Sequence, residues 1–173
     1  SKLERHRYAA LAHYLAASIE RDTRKKEQSL RHAVGYAPDF MPAVIDFAAN
    51  LEAQGHARRA RKWLRAAWEK SPNLALIAPI LSTLHHESPR SQLRLLRPFM
   101  KGELSTAHHL LAAEHALERS ELARAKEAVE AALALEETKA ACSLMARIEK
   151  ALSGTDGAAR WLERAVHAPQ SET

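Results

Sequence analysis

The chain has 173 residues, of which 46% are hydrophobic but only 5% aromatic, a balance that suits alanine-rich helices better than sheets. The single cysteine excludes an internal disulfide or a multi-thiolate metal site, and the lack of any apolar run of about 18 residues excludes a membrane span within this sequence. Residues 1–101 hold 18 Lys and Arg against 9 Asp and Glu (+9), and residues 102–173 hold 8 against 12 (−4). This split predicts a basic half that faces an anionic membrane or an acidic partner, unless it reflects only solvated helix faces.

Residues 1–39 are predicted to form a first pair of helices. Asp22 or Thr23 can cap the second helix, and Glu27 in its first turns suits the helix dipole. Lys26 falls where helical repeats normally have a small residue, so this pair is degenerate, as terminal repeats often are. The apolar positions of the pair are Tyr8, Leu11, Tyr14, Leu15 and Ile19, followed by Leu30, Ala33 and Val34.

Residues 40–72 give the clearest pair, two short amphipathic helices joined at Gly55 and closed by Pro72. Pro38 precedes Pro72 by 34 positions, and the tetratricopeptide (TPR) repeat has a period of about 34 residues. Small residues on the second helix indicate that two helices come close there. The two predicted faces consist of Val44, Phe47, Ala48 and Leu51, and of Ala60, Leu64 and Ala67.

Residues 73–101 predict an irregular joint. Pro79 should kink the first helix of this pair unless it lies in the first turn. Ser88 and Pro89 provide an N-cap followed by proline at the first helical position, and this second helix runs into Pro98.

Residues 102–137 and 138–173 predict the last two pairs. Ser105 caps the fourth pair, Ser120 marks its turn, and residues 153–157 predict a longer turn in the fifth pair. Cys142 lies in an apolar helical pattern and is predicted to be a small core residue. The sequence therefore predicts an all-α chain of about ten helices in five antiparallel pairs, forming one right-handed superhelical TPR-like domain over residues 1–173.

Four stretches carry a narrower resemblance. They are Tyr8–Ser18, Gly55–Ala67 with Ala60-Arg61-Lys62-Trp63-Leu64, Ser71-Pro72-Asn73-Leu74, and Ala159-Arg160-Trp161-Leu162-Glu163-Arg164-Ala165. In this order they resemble the C-terminal domain of HemY-type proteins. Those are bacterial inner-membrane proteins with two N-terminal membrane helices and a cytoplasmic repeat domain, associated with late haem biosynthesis. The usual tail of that family is not seen beyond Ala168-Pro169.

This resemblance implies a non-catalytic scaffold on the cytoplasmic side of the bacterial inner membrane, with late haem-pathway enzymes as protein partners. The chain opens at Ser1 without methionine, so we expect a soluble fragment whose anchor lies outside it. Two alternatives stay open: a generic TPR peptide-binding adaptor unrelated to haem, and a direct haem or porphyrin carrier acting through histidine. No phosphate loop, Ser-His-Asp order or carboxylate pair predicts an enzyme.

A mainly apolar groove is the predicted partner site, because the first helix of each TPR pair lines the concave surface. Some of these side chains could instead pack between neighbouring pairs. The predicted groove residues are Tyr8, Leu11, Leu15, Ile45, Ala49, Leu76, Thr83, Leu110 and Glu114.

Ten histidines invite a metal or haem interpretation. No two histidines are one helical turn apart at i and i+4, the spacing that zinc favours on a helix, so no metal site is predicted. His108 and His109 are the candidate haem ligands, although no cofactor is otherwise predicted. The basic run with Arg58, Arg61 or Lys62, and Arg65 is predicted to be mostly a solvated outer face, and too few aromatics accompany it for nucleic-acid binding.

Overall fold

The part of the chain that the structure describes is mainly helical. This computed structural model describes residues 1–170, which contain ten α-helices and no strand, so the all-α prediction is confirmed. The last three residues of the predicted fifth pair lie outside the described part. The helices are α1 (Lys2–Ile19), α2 (Thr23–Tyr36), α3 (Met41–Ala53), α4 (Ala57–Lys70), α5 (Ile77–Ser82), α6 (Pro89–Leu96), α7 (Thr106–Glu118), α8 (Leu122–Leu135), α9 (Lys139–Ser153) and α10 (Thr155–His167).

Local signals set the ends of the first helices as the sequence predicts. An Oδ1 atom of Asp22 accepts hydrogen bonds from the backbone N–H groups of Arg24 and Lys25 at 2.9 and 3.0 Å, which caps α2. Gly55 follows the end of α3 with φ +77°, a left-handed conformation that glycine adopts without steric cost. The backbone can therefore turn directly from α3 into α4.

The region of residues 73–101 is irregular, as predicted. A 3-10 turn (Leu74–Leu76) precedes α5, which places Pro79 in the first turn of α5, where a proline is tolerated. The Ser88 hydroxyl accepts from the N–H of Ser91 at 3.3 Å and caps α6. A second 3-10 turn (Arg97–Met100) contains Pro98.

The turn between α9 and α10 is shorter than predicted. The prediction of a longer turn over residues 153–157 is wrong, because α9 ends at Ser153 and α10 already begins at Thr155. Gly154 alone reverses the chain with φ +83°. A single glycine in a positive-φ conformation replaces the turn that the cluster of small polar residues suggested.

The fold divides into two compact units. The N-terminal unit consists of Ser1–Ser71 and Ala78–Pro98, and the C-terminal unit consists of Pro72–Ile77 and the chain from Phe99 onward. The division falls in the irregular region, where α5 has only six residues. The single cooperative domain over the whole chain stays a prediction.

The core of the N-terminal unit lies between consecutive helices, with α1 against α2, α2 against α3 and α3 against α4. Phe47 and Leu51 of α3 are fully buried with Leu64 of α4, and the Phe47 ring meets Trp63 edge-on at 5.4 Å between centroids. The two faces predicted for this pair are confirmed, because all seven of their residues are buried. Burial of such side chains stabilises each by about 1.5–3 kcal/mol.

Polar side chains link alternate helices at a regular interval. The interval is 30 to 33 residues, close to the predicted repeat period. The hydrogen bonds are Tyr14 Oη to Asp46 at 2.9 Å, Arg59 to Glu27 at 2.8 Å and Ser82 to Glu52 at 3.1 Å in the N-terminal unit, and Arg147 to Glu114 at 2.6 Å in the C-terminal unit.

The C-terminal unit is built in the same way, with α7 against α8, α8 against α9 and α9 against α10. Leu111, Met145 and Ile148 are among its fully buried side chains. The prediction that Cys142 is a core residue is confirmed, since it is 0% exposed, and burial raises the pKa of its thiol.

Candidate functional site

The outer face of α1 leaves four large apolar side chains in solvent. Tyr8 is 73% exposed, Leu15 55% and Ile19 83%, and Leu11 is 43% exposed. Spacings of three and four residues place them along one side of the helix, opposite the buried Ala10 and Ala17. We call Tyr8, Leu11, Leu15 and Ile19 the α1 stripe.

The α1 stripe is unusual because α1 has apolar residues on two opposite faces. A helix with apolar residues on all sides is normally buried, and a contiguous exposed apolar patch commonly marks a site of interaction. Only the face containing Ala10 and Ala17 is covered by the rest of the described chain. The stripe is therefore the leading candidate for a functional surface.

A cavity of about 370 Å³ adjoins the N-terminal half of the stripe. Leu11 belongs to both the stripe and the cavity, and the segment connecting α2 to α3 forms the far wall. A volume above about 300 Å³ is enough to enclose a small apolar group. The lining residues are Arg7, Ala10, Leu11, Ala37, Asp39 and Phe40.

Tyr14 contacts Phe40 in one wall of this cavity and links it to α3. Its ring packs edge-on against Phe40, with 5.3 Å between the centroids, and its hydroxyl donates to Asp46 of α3 at 2.9 Å. That hydrogen bond to the carboxylate raises the pKa of Tyr14, because it favours the protonated hydroxyl. One side chain thus connects α1, the α2–α3 segment and α3.

The predicted groove residues have different fates. Tyr8, Leu11 and Leu15 are exposed on α1, Ala49 is exposed on α3, and Ile45 is half-buried beside it. Glu114 is half-buried, and one of its carboxylate oxygens accepts from Arg147. That these six residues line one groove stays a prediction.

The other three predicted groove residues are buried. Leu76 is 0% exposed, Thr83 3% and Leu110 2%, so these side chains pack inside the described chain, which is the alternative to groove exposure that the sequence left open. The Thr83 hydroxyl donates to the carbonyl of Ile80 at 2.7 Å, and the 3-10 turn that contains Leu76 packs against α7. Helical register identified these positions as facing inward from the first helix of a pair. It could not distinguish packing against neighbouring helices from exposure in a groove.

Arg61 is also placed differently from its prediction. It is buried, and its guanidinium donates to Thr83 Oγ1 at 3.2 Å and to the Thr83 carbonyl at 2.7 Å. Glu87 lies 3.4 Å from the same guanidinium. The prediction of a solvated outer face is therefore wrong for Arg61. The sequence did contain a signal for the burial of Arg61, because Trp68 follows seven positions later on the same side of α4. Trp68 is also buried.

His108 is poorly placed for the predicted haem-ligand role. It is 4% exposed, and its Nδ1 atom accepts from the backbone N–H of Ser105 at 3.1 Å, at the start of α7. Burial, followed by the nearby His109, lowers the pKa of His108. The ring serves the helix N-terminus, as glutamate does in a capping box. Burial and this hydrogen bond disfavour His108 as a haem ligand, and half-buried His109 stays a predicted ligand.

A cluster of aromatic rings between α1 and α2 was not predicted. The His13 and His32 rings have centroids 5.0 Å apart, and His13 stacks on Tyr36 at 5.6 Å with 9° between planes. His6 meets the same tyrosine edge-on at 5.8 Å. The signal was present in the seven-residue spacing of His6 and His13 on a helix predicted to pair with α2.

A second cavity, of about 400 Å³, lies near the end of the described chain. Two nitrogens of Arg164 donate to the two oxygens of Glu137 at 3.0 and 2.6 Å, and the guanidinium lies 4.2 Å from the centre of the Trp161 ring. The hydrogen bonds from Arg164 lower the pKa of Glu137. Both side chains are more than 40% exposed, so solvent screens the attraction between them.

Within residues 1–170, no group of three or more His, Cys, Asp or Glu side chains is arranged to hold a metal ion. None of the helices in that range combines the length and the hydropathy needed to cross a membrane. No protein-family model matches the chain, and comparison with curated proteins gives no significant match.

Proposed function

We propose that this chain is a non-catalytic scaffold of TPR-like helical repeats that binds a protein partner. Polar links at intervals of 30 to 33 residues support the repeat architecture, because stacked repeats bring equivalent helices together once per period. Two helices fall in each of the five predicted pairs over the described chain, which also supports this architecture.

The α1 stripe is the observation that carries the binding function. Three aliphatic side chains and one tyrosine lie exposed along α1, beside a cavity that can receive an anchoring side chain. Protein interfaces use such apolar centres, and a few large residues in pockets usually supply most of the binding energy.

The resemblance to HemY-type proteins supplies the proposed cellular setting. On that basis the scaffold acts in late haem biosynthesis at the bacterial inner membrane, on the cytoplasmic side, through an anchor outside this sequence. Its partners are then late haem-pathway enzymes. A generic peptide adaptor uses the same surface and differs only in the identity of its partner.

Comparison of two charge substitutions tests the binding function. Leu15→Glu places a charge in the centre of the α1 stripe, whereas Leu135→Glu places one at a matched site on α8; the two leucines are 55% and 57% exposed. Both variants should stay folded by circular dichroism, because surface substitutions usually change stability by about 0.5 kcal/mol or less.

In capture experiments from bacterial membranes, wild type and Leu135→Glu should retain the same partner and Leu15→Glu should lose it. A buried unpaired charge opposes association strongly, and this explains the expected difference. Recovery of late haem-pathway enzymes supports the proposed setting, and recovery of an unrelated protein favours the generic adaptor. Equal recovery by all three chains would remove α1 as the binding surface.

A further inference from the structure

The chemistry of the α1 stripe identifies what kind of element covers it, provided that the proposed binding function holds. The surface of the stripe has the ridge and groove of a face on which another helix can pack. Leu11, Leu15 and Ile19 form a ridge along the i, i+4 direction, and the exposed Ala12 and Ala16 form a shallow row beside it. A second helix packs by placing its own ridge in such a row, whereas a lipid surface needs no row of small residues.

The same contrast of small and large residues occurs where helices of this chain already pack. On α4, Ala60 and Ala67 flank Leu64, and all three are buried in the N-terminal unit, where α4 contacts α3. The exposed face of α1 also combines large and small residues, in two adjacent rows, and no helix of the described chain covers it. A helical occupant is therefore favoured over a strand or a lipid surface.

The net charge of the N-terminal unit indicates which kind of helix can bind to the stripe. The N-terminal unit holds 17 Lys and Arg against 9 Asp and Glu, a net charge of +8. Arg5 and Arg7 are exposed and, by helical spacing, lie on opposite edges of the stripe. A second copy of this unit would bring two units of net charge +8 together, so an acidic partner is favoured over association between two N-terminal units.

The acidic residues near the ends of the stripe are already engaged inside the unit. Glu4 accepts from the amino group of Ser1, and Glu20 accepts from the N–H of Asp22 at 2.8 Å. Asp22 in turn caps α2. The structure shows no hydrogen bond from Arg5 or Arg7 to any of these carboxylates.

We infer that the α1 stripe is covered by an acidic amphipathic helix of a partner protein. Its apolar residues pack on Leu11, Leu15 and Ile19, and one large apolar side chain enters the cavity beside Leu11. Its Asp and Glu side chains lie opposite Arg5 and Arg7. Such pairing steers association and fixes register more than it adds affinity.

Two fluorescent peptides as long as α1 test this inference. Both carry Leu and Phe at i, i+3, i+4 and i+7, and the flanking positions are all Glu in one and all Lys in the other. By fluorescence anisotropy at about 0.05 M salt, wild type should bind the Glu peptide at least about tenfold more tightly, and the gap should narrow at about 0.5 M salt.

A charge-reversal pair supplies the matched control. Arg5→Glu with Arg7→Glu should abolish or reverse the preference for the Glu peptide. Arg90→Glu with Arg94→Glu makes the same change of net charge at exposed sites on α6 and should preserve it. If both double variants lose the preference equally, net charge rather than the edges of the stripe is responsible, and the inference fails.

The remaining outcomes separate this inference from the proposed function. Equal affinity for both peptides, with both weakened by Leu15→Glu, overturns the acidic partner but leaves the α1 surface standing. Binding only to vesicles of mixed phosphatidylcholine and phosphatidylserine overturns the helical occupant, as does a wild-type dimer that Leu15→Glu dissociates. Peptide binding that is insensitive to Leu15→Glu counts against the proposed function itself.

Discussion

Helices α1 and α7 have similar apolar content but opposite exposure. α1 exposes the four residues of its stripe, whereas the buried residues of α7 are Thr106, Ala107, His108, Leu110, Leu111, Ala113, His115 and Ala116. The cover differs: α7 is contacted by α8, α9 and the 3-10 turn Leu74–Leu76, while α1 packs mainly on α2. Helical periodicity identifies residues that share a face, but the neighbours decide whether that face is covered.

Polar side chains on the two helices differ in the same way. His108 and His115 of α7 are buried, and burial is the main cause that lowers the pKa of each ring. On α1, Tyr14 uses a half-buried hydroxyl to reach Asp46 and leaves the stripe open. Both helices thus use polar groups for internal contacts, but α1 also leaves an apolar face exposed.

The largest expected effect comes from the same substitution on each helix. Leu110→Glu on α7 should lower the free energy of unfolding by at least about 4 kcal/mol, because it buries an unpaired charge. Leu15→Glu on α1 should change it by about 0.5 kcal/mol or less. Urea denaturation followed by circular dichroism measures both. Similar losses for the two variants would show that the α1 stripe is covered within the folded chain.

Replacing alanine with leucine extends the comparison of α1 and α7 to alanines that are buried between helices and alanines that are exposed. Ala60→Leu and Ala125→Leu should each cost about 1–3 kcal/mol, because both alanines are fully buried where helices pack closely. Ala12→Leu, on the exposed face of α1, is the control and should cost about 0.5 kcal/mol or less. Thermal melting decides the matter, and unchanged melting of both buried variants would contradict the helix register.

Much of the fold follows from the sequence, because helix caps and the glycines and prolines that end helices act through local sequence. Asp22, Ser88 and Gly55 act where their chemistry predicts, and the buried faces of α3 and α4 follow from spacing alone. Gly154 is the exception, since a string of small polar residues does not reveal which of them are already helical.

The candidate site is less predictable because it depends on contacts between distant segments. Spacing identified Tyr8, Leu11 and Leu15, but exposure depends on which helices pack on α1. The cavity needs Ala37 and Phe40 from the α2–α3 segment beside Arg7, and no local pattern predicts that approach. Leu110 also depends on which segments pack around its helix, and in its case they bury the side chain.

The buried histidines of α7 predict an acid-sensitive fold. Burial lowers the folded-state pKa of His108 and His115, while the unfolded value is about 6.5. The unfolded state therefore binds more protons, so this contribution to stability is complete above about pH 6.5 and decreases as the pH falls below it. The free energy of unfolding should decrease between about pH 7 and about pH 5.

A variant with His108→Gln and His115→Leu should lose part of that decrease. Glutamine suits position 108 because it can still accept from the N–H of Ser105 in a capping box. Urea denaturation at several pH values measures the slope. If the variant keeps the wild-type slope, titration of these two histidines is not its source, and the contrast between α7 and α1 would not extend to acid sensitivity.

The smallest expected effects concern polar links between alternate helices, such as α1 with α3 and α7 with α9. Tyr14→Phe removes the hydrogen bond from α1 to Asp46, and Glu114→Gln weakens the pair between α7 and Arg147. Each should cost about 1 kcal/mol or less, because both links are partly exposed to water. Tyr14 also borders the cavity through Phe40, so Tyr14→Phe should keep that ring contact and weaken binding of the Glu peptide less than Leu15→Glu does. Loss of binding equal to that of Leu15→Glu would make the Tyr14 hydroxyl, rather than the apolar stripe, the main determinant of the site.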